Sequence, residues 1–263
     1  MMRDMSGLRN IHPDARIAEG VIVEPFATIG ANVEIGEGTW IGPNVCVMDG
    51  ARIGKNCRIF PGAIVGAIPQ DLKYKGEASI VEIGDNVTIR EYCTINRGTE
   101  ANYSTVIKNN VLLMAYVHIA HDCIVHENCI LANNVNLAGH IEVGHHTVIG
   151  GLAAVHQFVR IGEHVMIGGG SLVRKDVPPY IKAAREPIAY AGVNALGMRR
   201  RGFSSEQINL IQDIYRILFV KGFNIQHAIE IIENEIPACT EKDNVIQFVR
   251  SASRGLIKGY RTN

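Results

Sequence analysis

Seven of the chain's ten histidines fall between residues 118 and 156, among them His118, His121, His140, His145 and His156. An imidazole titrates near neutrality, so it can take the proton from a hydroxyl as that hydroxyl attacks an electrophile. His121 is followed by Asp122, a carboxylate able to orient it, and His140 is preceded by Gly139. A glycine leaves its backbone N–H free of side-chain cover, which makes it a donor for the oxyanion of an acyl-transfer intermediate. His118 with His121, or His140 with His145, could instead join ligands from a neighbouring subunit around a metal ion. Either chemistry requires a fold that brings residues near 121 and 140 together.

A six-residue period supplies that fold. Ile or Val recurs at Ile11, Ile17, Val23, Ile29, Ile35, Ile41, Val47, Ile53, Ile59 and Val65, and in phase at Ile83, Ile89 and Ile95. The same phase runs through Ile107, Leu113, Ile119, Val125, Leu131, Leu137, Val143, Ile149, Val155, Ile161, Ile167 and Val173. Four residues after each stands a small or β-branched residue, such as Ala27, Val33, Thr39, Val45, Ala51 or Ala63. Neither the 3.6 spacing of an amphipathic helix nor the alternation of a half-buried strand produces this pattern. Each unit reads as a short strand and a tight corner, and three units make one triangular turn of about 18 residues in a stacked solenoid. One turn on from His121 is Gly139, so His121 and His140 share one face of adjacent coils.

Composition narrows the function classes. The 263 residues carry 26 Lys/Arg and 26 Asp/Glu, so no nucleic-acid footprint appears in the net charge. The balance is uneven: residues 180–263 hold 12 basic and 8 acidic groups, leaving 14 and 18 for residues 1–179. A modestly basic C-terminal region suits an acidic partner. Cys57, Cys93, Cys123 and Cys129 occupy the small position of the repeat, and no CxxC pair suggests zinc or a disulfide framework. No stretch reaches membrane-spanning length and no leader is evident, so the expected location is the cytoplasm, with no membrane span.

The array breaks twice, near residues 69–80 and 98–105, and insertions in a solenoid become loops, often on the binding face. The first begins Pro69-Gln70-Asp71-Leu72-Lys73-Tyr74. The expected division is a β-helix over residues 1–186 and an α-helical domain over 187–263, with Pro178-Pro179 marking the end of the repeat. Ser204-Ser205-Glu206-Gln207 resembles a capping box for a helix to about Lys221. Two more helices are expected over 225–235 and about 241–258.

Several stretches closely resemble the UDP-N-acetylglucosamine O-acyltransferase family. They are Gln70–Tyr74, His118-Ile119-Ala120-His121-Asp122-Cys123, Ile130–Asn134, Leu137-Ala138-Gly139-His140, Ala154–Phe158, Asp176–Tyr180 and Arg200-Arg201-Gly202-Phe203. The likeness covers the chain from about Ile11 to Ile257. It implies a mainly β fold, a left-handed parallel β-helix of hexapeptide repeats with a C-terminal α-helical domain, assembled as a homotrimer with active sites between subunits. It implies transfer of a (3R)-hydroxyacyl chain from acyl carrier protein to the glucosamine 3-hydroxyl of UDP-N-acetylglucosamine, the opening step of lipid A synthesis. No cofactor or metal is then required, because the acyl donor rides on the carrier's phosphopantetheine arm.

By the same resemblance His121 is the general base, Asp122 orients it and Gly139 N–H holds the oxyanion. Gln70, Asp71, Lys73, His118, His140, His156, Gln157, Asn194, Arg200 and Arg201 match positions around the nucleotide sugar and the phosphopantetheine arm. Met166 and Gly169 match the region that gauges acyl length, where Gly168-Gly169-Gly170 leaves room for a long chain. Asn96 stands where the best-known members have His, Leu196 where they have Glu, and Pro187 near another of their His positions. The resemblance carries no nucleotide contact to these three. Rival readings are a related N-acyltransferase, expected to carry a further N-terminal domain, an acetyl-CoA-dependent hexapeptide enzyme, and a metal-dependent protein like the gamma-class carbonic anhydrases of the same architecture.

Overall fold

The computed structural model describes residues 8–259; the ends of the expected division, residues 1–7 and 260–263, lie outside it. Short parallel strands stack into three sheets that form the sides of a triangular prism. Sheet A has nine strands, from Asn10–Ile11 to Leu172–Val173; sheet B has eight, from Arg16–Ile17 to Arg160–Ile161. Sheet C has eleven, starting at Ile22–Val23.

The six-residue period sets the register. His118 pairs with Asn136 and Asn136 with Ala154, each one 18-residue turn apart. Across the first insertion Ile64 pairs with Thr94, and across the second Thr94 pairs with His118. The interruptions thus add 12 and 6 residues to a turn, whole multiples of the period, and the inward phase survives both. The aliphatic residues from Val23 to Val173 are buried, as are Ala27, Thr39, Cys57, Cys93, Cys123 and Cys129 at the small position. These cysteines are free thiols packed as small apolar groups. Only the first coil is open, with Ile11 exposed because nothing in the described chain stacks beneath it.

Most corners turn through one residue in the left-handed region, where Asn and Gly are cheapest. Asn44, Asn56, Asn128 and Asn134 occupy it in several coils, and Asp122 (φ 60°) and His140 (φ 61°) occupy it at the corner between sheets A and B. The outward faces differ in character. Sheet B is charged, with Glu34 bridging Arg16 and Arg52 and Glu142 bridging His126 and Arg160. Sheet C presents Leu112, Ile130, Val148 and Met166.

Beyond the repeat, Ile181–Ala184 continues sheet C and turns back as an antiparallel strand, Ala189–Val193. The boundary expected at 186/187 falls in the loop of this hairpin. Four helices follow: α1 (Ala195–Arg200), α2 (Ser205–Tyr215), α3 (Ile225–Glu235) and α4 (Thr240–Arg250). The α2 capping box forms as expected, Ser204 Oγ accepting from Gln207 N and Gln207 Oε1 from Ser204 N. The helix continues through one π-turn, Arg216–Val220. α3 has the expected span. α4 ends eight residues earlier than expected: the chain leaves it at Ser251, turns at Gly255 (φ +69°) and returns as the edge strand Lys258–Gly259. α1 was not expected, since its six residues include Gly197 and lack apolar periodicity; the Asn194 side chain caps it through Gly197 N.

Candidate active site

The corner between sheets A and B gathers the residues that can do chemistry. His121 follows the strand His118–Ile119, and its Nδ1 lies 2.8 Å from Asp122 Oδ2. Asp122 is fully buried, yet its carboxyl is held below the usual range. Burial alone would raise it, but hydrogen bonds from Thr99 and His121 outweigh burial. Thr99 N donates to Oδ1 at 3.0 Å and Thr99 Oγ1 to Oδ2 at 2.6 Å. An ionised Asp122 can only accept, so His121 Nδ1 carries the proton and Nε2 keeps its lone pair.

Nε2 faces the next coil. A Cβ on Gly139 would lie 2.6–2.7 Å from His121 Cε1 and Nε2, so only glycine permits this approach. Among the described residues Gly139 N–H has no hydrogen-bond acceptor. His140 meets His121 edge-on at 5.0 Å between ring centroids and stacks on Phe158 at 4.5 Å. Burial, ahead of any charge, lowers its pKa and keeps it neutral. Asp71, carried in by the first insertion, places Oδ2 4.0 Å from His121 Nε2. Its other oxygen accepts from Lys73 N at 2.9 Å, which shapes the turn.

His118 lies one strand position before this corner, with Nδ1 2.8 Å from Thr94 Oγ1. Burial, and then the charge of His121, lower its pKa. Gln157 and His156 stand one coil beyond Gly139 and Ala138, both exposed, and Arg254 Nη2 lies 3.1 Å from His156 Nδ1. Gln70 is exposed beside Asp71.

The remaining expected site residues lie elsewhere in the chain's own fold. Asn194 Nδ2 donates to His164 O, at the corner between sheets B and C. The Arg201 guanidinium is partly buried toward the same corner, and burial lowers its pKa. Arg200 is exposed at the end of α1, Met166 sits on sheet C, and Gly169 follows it at the corner between sheets C and A. One subunit therefore does not bring these five to His121.

The metal alternative meets mixed geometry. His121, Asp122 and His140 have potential donor atoms within 4.8 Å of one another. However, both Asp122 oxygens already accept hydrogen bonds from protein donors. His145 turns away to the next corner, its Nε2 2.6 Å from Glu163 Oε2, so the pair His140/His145 is not formed.

Thr99 and Thr105, whose Oγ1 accepts from Asp122 N at 2.8 Å, were not anticipated as part of the site. Their signal was the second insertion, which brings Thr99 over the corner.

Hexapeptide coils bearing a buried carboxylate–histidine pair beside a bare glycine define a hexapeptide-repeat transferase. Hexapeptide-repeat models of bacterial transferases match residues 32–67 and 104–139. The model described as UDP-N-acetylglucosamine O-acyltransferase, domain 2, matches residues 176–257. An acyl-[acyl-carrier-protein]–UDP-N-acetylglucosamine O-acyltransferase of Trichlorobacter lovleyi is 47% identical over 253 residues, 95% of this chain and 97% of that one. The crystal structure of the UDP-N-acetylglucosamine acyltransferase of Bacteroides fragilis superposes with a TM-score of 0.95 at 48% identity, covering 98% of this chain and 100% of that one. The corresponding Francisella novicida structure gives 0.93 at 39% identity, covering 95% and 92%. The chain belongs to the UDP-N-acetylglucosamine O-acyltransferase family and is an acyltransferase.

Proposed function

We propose that the protein transfers a (3R)-hydroxyacyl chain from acyl carrier protein to the 3-hydroxyl of UDP-N-acetylglucosamine, the first step of lipid A synthesis. One observation carries the mechanism: Asp122 Oδ2 lies 2.8 Å from His121 Nδ1, which leaves Nε2 of the neutral imidazole as the acceptor against Gly139. His121 Nε2 takes the proton of the 3-hydroxyl as its oxygen attacks the thioester carbonyl. Gly139 N–H donates to the oxyanion that forms, and Asp122 stabilises the imidazolium. When the intermediate collapses, the C–S bond breaks and the imidazolium returns its proton to the departing phosphopantetheine thiol. Electrons and protons balance without a metal or redox cofactor.

Asp71, Lys73, Gln70, His118 and His140 are assigned to the sugar end of the site. Asn194, Arg200, Arg201, His156 and Gln157 are assigned to the nucleotide and the phosphopantetheine arm, with Arg200 and Arg201 as phosphate partners. Met166 and Gly169 are assigned to the acyl tail. Residues of sheet C and α1 can approach His121 only from another copy, and the aliphatic stretch of sheet C from Leu112 to Met166 suits such packing better than the charged face of sheet B. The assembly proposed is the homotrimer that the family resemblance implies. No helix among the described residues is long and apolar enough to cross a membrane, in keeping with a protein that meets acyl carrier protein in the cytoplasm.

The test is a transfer assay with UDP-N-acetylglucosamine and hydroxyacyl carrier proteins of graded length. Ester product on the sugar supports the reading; transfer only from acetyl-CoA, or only to an amino group, overturns it. Stoichiometric zinc or iron in purified active protein would return the metal alternative. Sedimentation as a monomer would remove the intersubunit assignments.

A further inference from the structure

The loop that carries Asp71 has almost no core of its own. Gln70, Leu72, Lys73, Lys75, Gly76 and Ala78 are exposed, and Leu72 is as exposed as in an extended peptide. Such a segment takes its position from a few anchors rather than from packing.

Those anchors come from residues 96 and 97, which take no part in the chemistry above. Asn96, 2% exposed, donates from Nδ2 to Ile68 O at 2.6 Å, at the point where the loop departs. Arg97 N donates to Ala67 O at 3.0 Å. The guanidinium then reaches both ways. Nη1 donates to Asp49 O at 3.1 Å, in the coil, and Nη2 donates to Tyr74 Oη at 2.8 Å, in the loop. The guanidinium carbon also lies 5.9 Å from the centroid of the Tyr74 ring, within cation–π range. Tyr74 Oη donates onward to Glu77 O at 3.1 Å, and Tyr74 N to Asp71 O at 3.0 Å. Gly50 (φ +88°) makes room beneath: a Cβ there would lie 2.7 Å from Ser79 O and 3.5 Å from Arg97 Cδ and Nη1.

A chain of bonds therefore runs from the coil through one guanidinium and one phenol to the turn that presents Asp71. At its end Asp71 Oδ2 stands 4.0 Å from His121 Nε2. That is too far for a direct hydrogen bond, but an oxygen between them can lie within hydrogen-bond distance of both. The gap fits the hydroxyl to be deprotonated, and its width depends on where the loop is held.

We propose that Arg97, acting through Tyr74, is a positioning residue that fixes Asp71 opposite His121 and so sets the affinity for the acceptor sugar. The proposal rests on the acyl-transfer reading and names the device that sites its acceptor. Arg97 touches neither Asp71 nor His121, so its loss loosens acceptor binding and leaves the base, the oxyanion donor and the acyl donor's site intact.

The experiment compares Arg97→Ala, Arg97→Lys and Tyr74→Phe with the full-length wild type, by steady-state transfer kinetics and by hydrogen exchange over residues 68–79. Tyr74→Phe removes one shared hydroxyl and should raise KM for UDP-N-acetylglucosamine about fivefold. Arg97→Ala should raise it more than about tenfold, with kcat within about twofold and KM for the acyl donor unchanged. Arg97→Lys, which keeps the charge but not the fork, should recover part of the loss. Loop amides should exchange faster in all three variants, and coil amides at the wild-type rate. An unchanged acceptor KM in Arg97→Ala overturns the proposal. So does a joint loss in kcat and both KM values, which marks a disrupted coil, and so does unchanged exchange in the loop. If the wild type itself fails to acylate UDP-N-acetylglucosamine, the functional reading falls, and loop exchange alone still decides whether Arg97 holds the loop.

Discussion

Two corners of the prism are built from nearly the same parts and do different things. Between sheets A and B, His121 and His140 stand in adjacent coils beside a carboxylate, Asp122. Between sheets B and C, His145 and His164 stand in adjacent coils beside a carboxylate, Glu163. The difference lies in which imidazole nitrogen the carboxylate takes and in what covers the other side. Asp122 binds Nδ1 from within the coil, and Nε2 is left facing Gly139 and the approaching Asp71 loop. Glu163 binds Nε2 from outside, and is itself gripped by the Tyr180 hydroxyl and by Asn244 Nδ2 of α4 at 2.9 Å. Tyr180 lies against His164, and His164 against His146 and Phe203. The first corner turns its remaining imidazole nitrogen toward a bare glycine and the Asp71 loop, whereas the second ties the C-terminal helices to the coil through Glu163. Any neutral imidazole bound through one nitrogen keeps a lone pair on the other, so a site is marked by where that lone pair looks, as His121 Nε2 looks onto Gly139 and Asp71.

The largest effect should come from removing that lone pair. His121→Ala is expected to lower kcat by about 10²–10⁴-fold, the usual range for a lost general base. Because the side chain projects from the coil, circular dichroism and assembly size should not change; near-normal turnover would erase the distinction between the corners. Gly139→Ala comes next. Its methyl would overlap the imidazole, and a displacement of that size costs about 100-fold in rate. A silent Gly139→Ala would show that His121 is not confined between the two coils. Asp122→Asn should lower kcat by about 10–100-fold, since it removes the anion that fixes the tautomer and stabilises the imidazolium. A wild-type kcat in Asp122→Asn would mean that Asp122 only holds the corner together.

How much of this was readable beforehand follows from the same contrast. The approach of His121 to Gly139 and His140 was visible because an 18-residue turn fixes it by register alone. The free thiols at the small position and the α2 capping box were visible for similar reasons: each is a local rule repeated in phase. Asp71 at His121 Nε2 was not derivable, because the insertion leaves the repeat and its return path depends on the Arg97–Tyr74 contact. Thr99 was equally hidden, since it serves Asp122 from the other insertion. His145 drew attention only as a ligand candidate, because its partner Glu163 is one coil away but its cover, Tyr180 and Asn244, comes from the irregular C-terminal part. The overlong prediction for α4 has the same origin. Helical propensity beyond Ser251 loses to the bonds Asp176 N→Gly255 O and Ile257 N→Asp176 O, which draw the chain back to sheet C.

The smallest effect falls on the second corner, and there it should be one of stability. Glu163→Gln keeps the shape but removes the charge that His145, Tyr180 and Asn244 converge on. It should cost about 1 kcal/mol, the lower end for a charge-assisted network, because the His145 side chain is 41% exposed and solvent screens the pair. Transfer rates should stay within about twofold of the wild type, since no reacting group is touched. The cost should also depend on pH. Burial would raise Glu163, but the bonds from His145 and Tyr180 bring it down to about 2. Its contribution is complete above its unfolded value of 4.5 and disappears as the pH falls toward about 2. The hydrogen bond to Glu163 raises His145. That contribution is complete below its unfolded value of 6.5 and is lost as the pH climbs through the raised folded value. The two windows overlap between about 4.5 and 6.5, so thermal unfolding of wild type and Glu163→Gln should differ most there, converge as the pH falls toward about 2, and differ less once His145 is neutral. A difference that ignores pH would show that Glu163 acts only as a hydrogen-bond acceptor for Tyr180 and Asn244. A large loss of activity without loss of stability would show that the second corner, too, belongs to the chemistry.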